Sequence, residues 1–366
     1  MNTVSQWFSL EYDILNTNIS SAIVKKKLKV TLQILFPLAL GMFFIWFFVQ
    51  RLSDEEINEV WNAFKRADYL WLIVAFFIGI ASHWMRAVRS ILLLEPMGYR
   101  PSKMNAFFAT IIGYLANLAV PRLGEVLRCS TLAQYEKIPV SKSLGTVITE
   151  RVIDMAIYLL FFLLVLITFS AKLYEYAETT FLSSFLQKVS LLRLAGMAAA
   201  AAVVLILLYV FVLRKRILKY AIVQKVENFV KGIWTGLKSV VQVKRPVAFI
   251  VETLSIWIFY YAGFYVCFFS LPETAVLTPD SGLAAMAFAT IGTIVVQGGI
   301  GVFPLLVAGT LAVYGVAEPV GYALGWLAWG AQQVAILVVG TIAIICLPYY
   351  NRKRDGKNRN HQVENS

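Results

Sequence analysis

The chain has 366 residues, of which 59% are hydrophobic and only 15% are charged. Its mean hydropathy of +0.70 excludes an ordinary soluble domain and predicts an all-α integral membrane protein, because backbone groups in lipid must pair within helices. The net charge of +12 does not indicate a nucleic-acid partner. The basic residues adjoin apolar segments, where anionic lipid headgroups and membrane orientation account for them.

Few side chains are available for metal or nucleophilic chemistry. The three cysteines are far apart without CxxC spacing, and the two histidines, His83 and His361, stand alone. Neither a disulfide framework, a zinc site nor a Ser/His/Asp arrangement can be assembled from these residues. The sequence also lacks the glycine-rich phosphate-binding loop that ends in Gly-Lys-Ser or Gly-Lys-Thr. We therefore expect no cofactor, no enzymatic activity, and transport that is passive or ion-coupled.

The first part of the chain alternates between apolar and polar segments. Residues 1–28 are amphipathic and end in several lysines, so we expect a cytoplasmic N-terminal segment. Residues 30–49 predict a first transmembrane helix, and the acidic stretch 50–68 predicts an external helical connection. Residues 69–94 predict the second transmembrane helix, since they are long enough to cross the bilayer.

Two pairs of short apolar segments then interrupt the pattern. Residues 105–119 and 124–134 flank a break at Pro121, whereas residues 282–296 and 304–316 flank a glycine-rich turn. Each segment is too short or too polar for a comfortable span, so each pair predicts a re-entrant helical hairpin, which requires protein or water around its tip. For the first pair, the residues alone slightly favour the alternative of a short span followed by an ordinary amphipathic cytoplasmic helix.

The remaining spans complete a count of six full transmembrane helices. They are predicted at residues 142–170, 189–213, 246–271 and 320–347. Residues 214–245 predict a basic amphipathic helix on the cytoplasmic leaflet. The predicted transmembrane domain covers residues 29–348, and the polar tail 349–366 is predicted to be disordered.

Charge distribution predicts the orientation of these segments. If the N-terminus is cytoplasmic, the basic segments all fall inside and the acidic loops outside, as the positive-inside rule requires. Both termini are then cytoplasmic, in a multi-pass protein of the inner membrane. Residues 69–170 and 246–347 each contain a helix, a broken pair and a second helix, with opposite starting sides. This pattern predicts an inverted repeat, an arrangement typical of transporters.

Charged residues cluster where the sequence should be buried in the membrane. A charge near the bilayer centre costs about 2.5–3.5 kcal/mol on insertion scales, so several together imply mutual pairing or a wet cavity. We predict that this cluster lines a path for a lipid headgroup; an alternative is that it locks helix and hairpin together. The predicted path residues are Arg86, Arg89, Arg122, Glu125, Arg128, Glu150, Arg151 and Asp154, and those of the second re-entrant turn are Gln297, Gly298, Gly299 and Gly301.

Four stretches carry a family resemblance: HWMRAVRSILL, GYLANLAVPRLGEVLR, TVITERVIDM and GGIGVF. Together they resemble the lysylphosphatidylglycerol synthase transmembrane region, or flippase-like domain family. The resemblance implies a membrane protein associated with moving lipids between leaflets.

The chain departs from the resembled family in three ways. The family's Pro-Gly-Arg is Pro121-Arg122 here, and an acid of its second signature is replaced by Pro304. Without a synthase domain after Leu347, we do not expect the chain to aminoacylate lipid.

Three functions fit these observations. The leading hypothesis is a lipid translocase that moves a phospholipid or a polyprenyl-phosphate-linked lipid. The alternatives are a proton-coupled transporter of a small solute, acting through Glu150 or Asp154, and a non-transporting protein that presents lipids to a membrane enzyme. The expected partners are membrane lipids, with anionic headgroups favoured, and either a second copy of the chain or such an enzyme.

Overall fold

The computed structural model describes residues 39–179 and 242–364, and every regular element in these ranges is helical. The predicted N-terminal segment 1–28, the predicted span 189–213 and most of the predicted basic helix 214–245 lie outside the described residues. The described helices are α1 (Ala39–Val49), α2 (Asp54–Arg66), α3 (Tyr69–Leu94), α4 (Lys103–Ala119), α5 (Leu123–Glu136), α6 (Val140–Thr179), α7 (Pro246–Tyr265), α8 (Pro279–Val295), α9 (Val302–Ala312) and α10 (Glu318–Glu364).

Side-chain caps fix where the first helices begin. The Ser53 hydroxyl accepts the backbone N–H of Glu56, and the Glu56 carboxylate accepts the backbone N–H of Ser53, which is a complete capping box at the start of α2. Asp68 then accepts the backbone N–H of Leu70 at 3.0 Å and starts α3. The polar connection between the first two apolar segments is therefore helical, as predicted.

Four described helices are long and apolar enough to cross a membrane. They cover Tyr69–Met97, Val140–Phe169, Pro246–Ser270 and Glu318–Arg354. The prediction of a multi-pass, all-helical membrane protein is confirmed at this level. The described part of α1 has fewer residues than a full span needs, so the count of six remains a prediction.

Helix α10 joins two separate apolar cores. Near its start, Leu324 is fully buried with Phe268 and Leu311 in a core built from the end of α7, the following 3-10 turn, α8 and α9. Further along, Ala343 is fully buried with Ile111 in a second core formed by α3, α4 and α10. Both helical hairpins therefore pack against one long helix.

The two broken pairs are packed hairpins with matching breaks. Helices α4 and α8 each have 17 residues, and each packs against the short helix that follows. Val120 follows α4 in an extended conformation, and Arg122 then adopts φ 65° and ψ 1°. Val296 follows α8, also in an extended conformation, and Gly298 adopts φ 66° and ψ 2°. The two breaks thus begin alike, but the second continues through a 3-10 turn and two further left-handed glycines, Gly299 and Gly301, before α9 begins.

The C-terminal prediction is wrong for most of the tail. Residues 349–364, predicted to be disordered, continue helix α10. Asn351 exchanges two side-chain hydrogen bonds with Asn105 of α4, and Arg354 pairs with Glu136 at the end of α5. These contacts give polar residues partners beyond the apolar span, which local composition does not reveal.

Candidate functional site

The first hairpin is held together by contact between two backbones. A Cβ added to Gly124 at the start of α5 would lie 1.9 Å from the carbonyl oxygen of Gly113 in α4, so only glycine fits there. The backbone N–H of Gly124 donates to Asn117 Oδ1 at 2.7 Å. Close approach of α4 and α5 places Asn117, Glu125 and Arg128 around one cleft with Arg151 of α6.

One buried group of charges joins α3 to α6. Arg89 is fully buried, and its two terminal nitrogens donate to the two oxygens of Asp154 at 2.6 and 3.0 Å. Arg86 donates to the same carboxylate at 2.8 Å. Two arginines therefore share one carboxylate in a part of the molecule with little exposure.

Arg86 also reaches the second half of the chain. Its other terminal nitrogen donates to the hydroxyl of Tyr260 in α7 at 2.7 Å. The guanidinium carbon lies 5.7 Å from the ring centroid of Tyr114 and 5.5 Å from that of Tyr260. These distances permit cation–π attraction, which helps to offset the loss of hydration of a buried cation.

A second buried pair connects α5 to α6. Arg128 donates through both terminal nitrogens to the two oxygens of Glu150, each at 2.9 Å. The geometry is a bidentate fork, the strongest arrangement for these two groups. It fixes the hairpin against the membrane-spanning helix.

The third pair is open to the surroundings. Arg151 donates to Glu125 Oε1 at 3.1 Å, and the arginine side chain is 52% exposed. Both residues line a small open cleft formed by α4, α5 and α6. The buried oxygen Glu125 Oε2 has no hydrogen-bond donor among the described residues.

Arg122 stands apart from these pairs. It is exposed at the break before α5, in the left-handed backbone region, and no ion pair connects its side chain to the described residues. It lies two positions before Gly124, which lines the cleft. Seven of the eight predicted path residues therefore form three ion-paired groups, and the eighth borders them in sequence. Their role in a path remains a prediction.

The second turn is filled by neighbouring helices. Trp329 of α10 donates its indole N–H to the carbonyl of Gly298 at 2.6 Å. Gly299 and Gly301 are buried, and a Cβ on Gly301 would lie 2.5 Å from the carbonyl oxygen of Gly41 in α1. Gln297 begins the short 3-10 turn. The second turn therefore packs against both α1 and α10. Its residues lie far along the chain from the residues of the ion pairs.

Sequence reasoning missed several contributors to the site. Tyr260 is separated by 174 residues from its partner Arg86, and no local spacing indicates that contact. The sequence analysis also did not single out Tyr114, whose ring lies 4.6 Å from the buried ring of His83, tilted by 45°. Asn117 did carry a signal, because it is a polar residue within a short apolar helix.

Comparison with known proteins agrees with the resemblance carried by the sequence. The family model described as the lysylphosphatidylglycerol synthase TM region matches residues 34–351. A UPF0104 membrane protein of Methanocaldococcus jannaschii is 31% identical over 116 residues, so the similarity spans 31% of this chain and 34% of that protein. No solved structure matches the chain. Because the family match covers most of its length, this multi-pass membrane protein belongs to the lysylphosphatidylglycerol synthase TM region family.

Proposed function

We propose that this protein moves a lipid with a phosphate-containing headgroup between the two leaflets of the inner membrane. Candidate lipids are phospholipids and polyprenyl-phosphate-linked lipids. Family membership and the spanning helices support a role within the bilayer. The observation that carries the proposal is the series of three ion-paired groups, which runs from the buried Arg89–Asp154 pair to the open Arg151–Glu125 pair.

The proposed topology has six spans, two re-entrant hairpins and two inverted halves. The matching breaks at Arg122 and Gly298 support the inverted repeat, because each follows a helix of equal length and an extended valine. The acidic helix α2 precedes α3, and Arg100 and Lys103 follow it, which supports cytoplasmic termini under the positive-inside rule.

In the proposed mechanism, the acyl chains remain in lipid while the headgroup enters the cleft. The half-exposed guanidinium of Arg151 offers N–H groups to phosphate oxygens. Behind the cleft, Arg128 and Glu150 cancel each other, whereas Arg86 and Arg89 share the single carboxylate of Asp154 and so keep one net positive charge buried. The protein's contribution is thus to replace headgroup hydration with fixed polar groups, without a covalent step.

The test is lipid movement in liposomes containing the purified protein. Headgroup movement should exceed that of empty vesicles and fall about tenfold in Arg151→Gln, since an ion pair to phosphate is lost. The control is Glu55→Gln, a change of one exposed charge on α2 that leaves the cleft intact. Equal rates in protein-containing and empty vesicles would overturn the proposal.

The structure gives less support to proton-coupled solute transport. Each oxygen of Glu150 and of Asp154 accepts a hydrogen bond from an arginine. Coupling through either residue would therefore require a buried ion pair to be broken. A vesicle assay with an imposed pH gradient separates the two functions: lipid movement should be insensitive to the gradient.

A further inference from the structure

The cleft beside the first hairpin leaves one carboxylate oxygen in need of a donor. Glu125 Oε1 accepts from Arg151 at 3.1 Å and lies 3.5 Å from the side-chain nitrogen of Asn117. The other oxygen, Oε2, is buried without a donor among the residues that the structure describes. A buried acceptor without a donor is unfavourable. A bound molecule that brings an N–H group to this oxygen would therefore be stabilised.

Arg151 offers the opposite chemistry in the same cleft. Only its Nη2 atom has a partner in the described part of the chain, and about half of the side chain is exposed. A guanidinium has five N–H donors, so several stay open to an acceptor. Their planar arrangement suits the oxygens of a phosphate group.

The charges of the cleft balance. Its charged lining residues are Glu125, Arg128 and Arg151. Arg128 is neutralised by the bidentate contact with Glu150 behind it, and Glu125 offsets Arg151. A neutral cleft with one anionic and one cationic contact point favours a molecule that carries both charges over one with a net negative charge.

We infer that this cleft selects a phosphate ester that carries a primary ammonium group, as phosphoethanolamine does. The phosphate oxygens accept from Arg151, and an ammonium N–H donates to Glu125 Oε2. The inference rests on the proposed function and narrows its substrate class. A choline headgroup has no N–H to donate, and a glycerol headgroup offers only a neutral hydroxyl, so both satisfy Oε2 less well.

The test is native mass spectrometry of the detergent-extracted protein with equal amounts of three lipids. These are phosphatidylethanolamine, phosphatidylcholine and phosphatidylglycerol with identical acyl chains. We expect about tenfold enrichment of the ethanolamine lipid, the ratio that one net charge-assisted hydrogen bond provides. Equal retention of the three lipids by the wild-type protein would overturn the inference.

Single-residue variants show which side chain is responsible for the preference for the ethanolamine lipid. Glu125→Gln should reduce the enrichment to within about twofold while total lipid retention persists, since the charge-assisted bond is lost but Arg151 remains. Arg151→Gln should lower retention of all three lipids together, and Glu55→Gln should match wild type. An enrichment that survives in Glu125→Gln would place the selection elsewhere.

A second series of measurements uses the wild-type protein and varies the lipid headgroup. Successive N-methylation of the ethanolamine lipid removes ammonium N–H groups while the charge is kept. Retention by the wild-type protein should fall most at the trimethylated lipid, where the last N–H is lost. Retention that is independent of methylation would show that charge alone is recognised, contrary to the inference.

Two sources share this headgroup chemistry, a membrane lipid and a soluble ester. Glycerophosphoethanolamine that displaces the bound lipid at millimolar concentration would confirm the zwitterion site and assign it to a soluble molecule. The liposome assay separates the two proposals. Ethanolamine-lipid enrichment without movement between leaflets would overturn only the proposed function, whereas movement without enrichment would overturn only the headgroup inference.

Discussion

Arg122 occupies a backbone conformation that residues with a Cβ rarely adopt. Its φ of 65° places it in the left-handed region, where the equivalent position of the second break is Gly298. The left-handed conformation costs an L-residue about 1–2 kcal/mol, and glycine avoids this cost. Glycine also loses more chain entropy on folding, which offsets roughly half of that advantage. An arginine kept under strain at this break suggests a role for its exposed guanidinium.

Two substitutions at this position separate strain from charge. Arg122→Gly should be more stable than Arg122→Ala by about 1 kcal/mol, because only glycine relieves the strain. Thermal unfolding of the two variants in the same detergent measures this difference. If the guanidinium contacts the headgroup, both variants should move lipid more slowly than wild type by a similar factor. Equal stability of the two variants would show that the break is unstrained.

The buried and open ion pairs should respond differently to loss of their carboxylates. Asp154→Asn leaves Arg86 and Arg89 buried without a counter-charge, which should cost about 3–5 kcal/mol of unfolding free energy. Glu125→Gln should cost about 1 kcal/mol or less, since its partner Arg151 is half-exposed. Unfolding measured at increasing concentrations of a denaturing detergent gives the free energy of unfolding of each variant. Similar costs would indicate that water reaches Arg89, contrary to its burial.

At the scale of the helix pairs, the first hairpin depends on the contact between α4 and α5. Gly124→Ala places a methyl group against the Gly113 carbonyl and must push the helices apart, at a cost of about 1–3 kcal/mol. The matched control is Gly145→Ala in α6, where no atom outside the local helix backbone lies within 4 Å of the new Cβ. That change should raise the melting temperature, since alanine is the better helix former. A Gly124→Ala variant as stable as the control would rule out the close packing.

Local chemistry was enough to predict most helices and both breaks. Pro121 removes a backbone donor, and the glycines around Gly299 permit left-handed turns, so each interruption is visible in a short window of sequence. The pairing of charges within the membrane was also predictable, because unpaired charges there are costly. The specific partners of the polar side chains were not predictable from the sequence. Tyr260 and Asn351 meet residues 174 and 246 positions away, and only the tertiary fold brings them together.

Across the whole molecule, α10 connects the two hairpins, and Glu136 ties its far end to α4 and α5. The Glu136 carboxylate accepts from Arg354 and from the Asn105 side chain, each at 2.5 Å, and from the Ser102 backbone N–H at 3.2 Å. Burial alone would raise the pKa of Glu136, but these hydrogen bonds outweigh it and hold the pKa below the ordinary value of 4.5. The lowered pKa means that the folded protein favours the ionised form.

The hydrogen bonds of Glu136 should make part of the free energy of unfolding depend on pH. Because the folded pKa is depressed, the contribution is complete above the unfolded-state value near 4.5 and is lost as pH falls through the folded value. At pH 7, Glu136→Gln should therefore be less stable than wild type by about 1.5–3 kcal/mol, the range for hydrogen bonds to a charged group. Unfolding measured from pH 7 to pH 3.5 should show the difference narrowing below pH 4.5, whereas Glu55→Gln should track wild type throughout. A difference that stays constant over this range would mean that α10 is held to the first hairpin by its apolar contacts, with no contribution from the charge of Glu136.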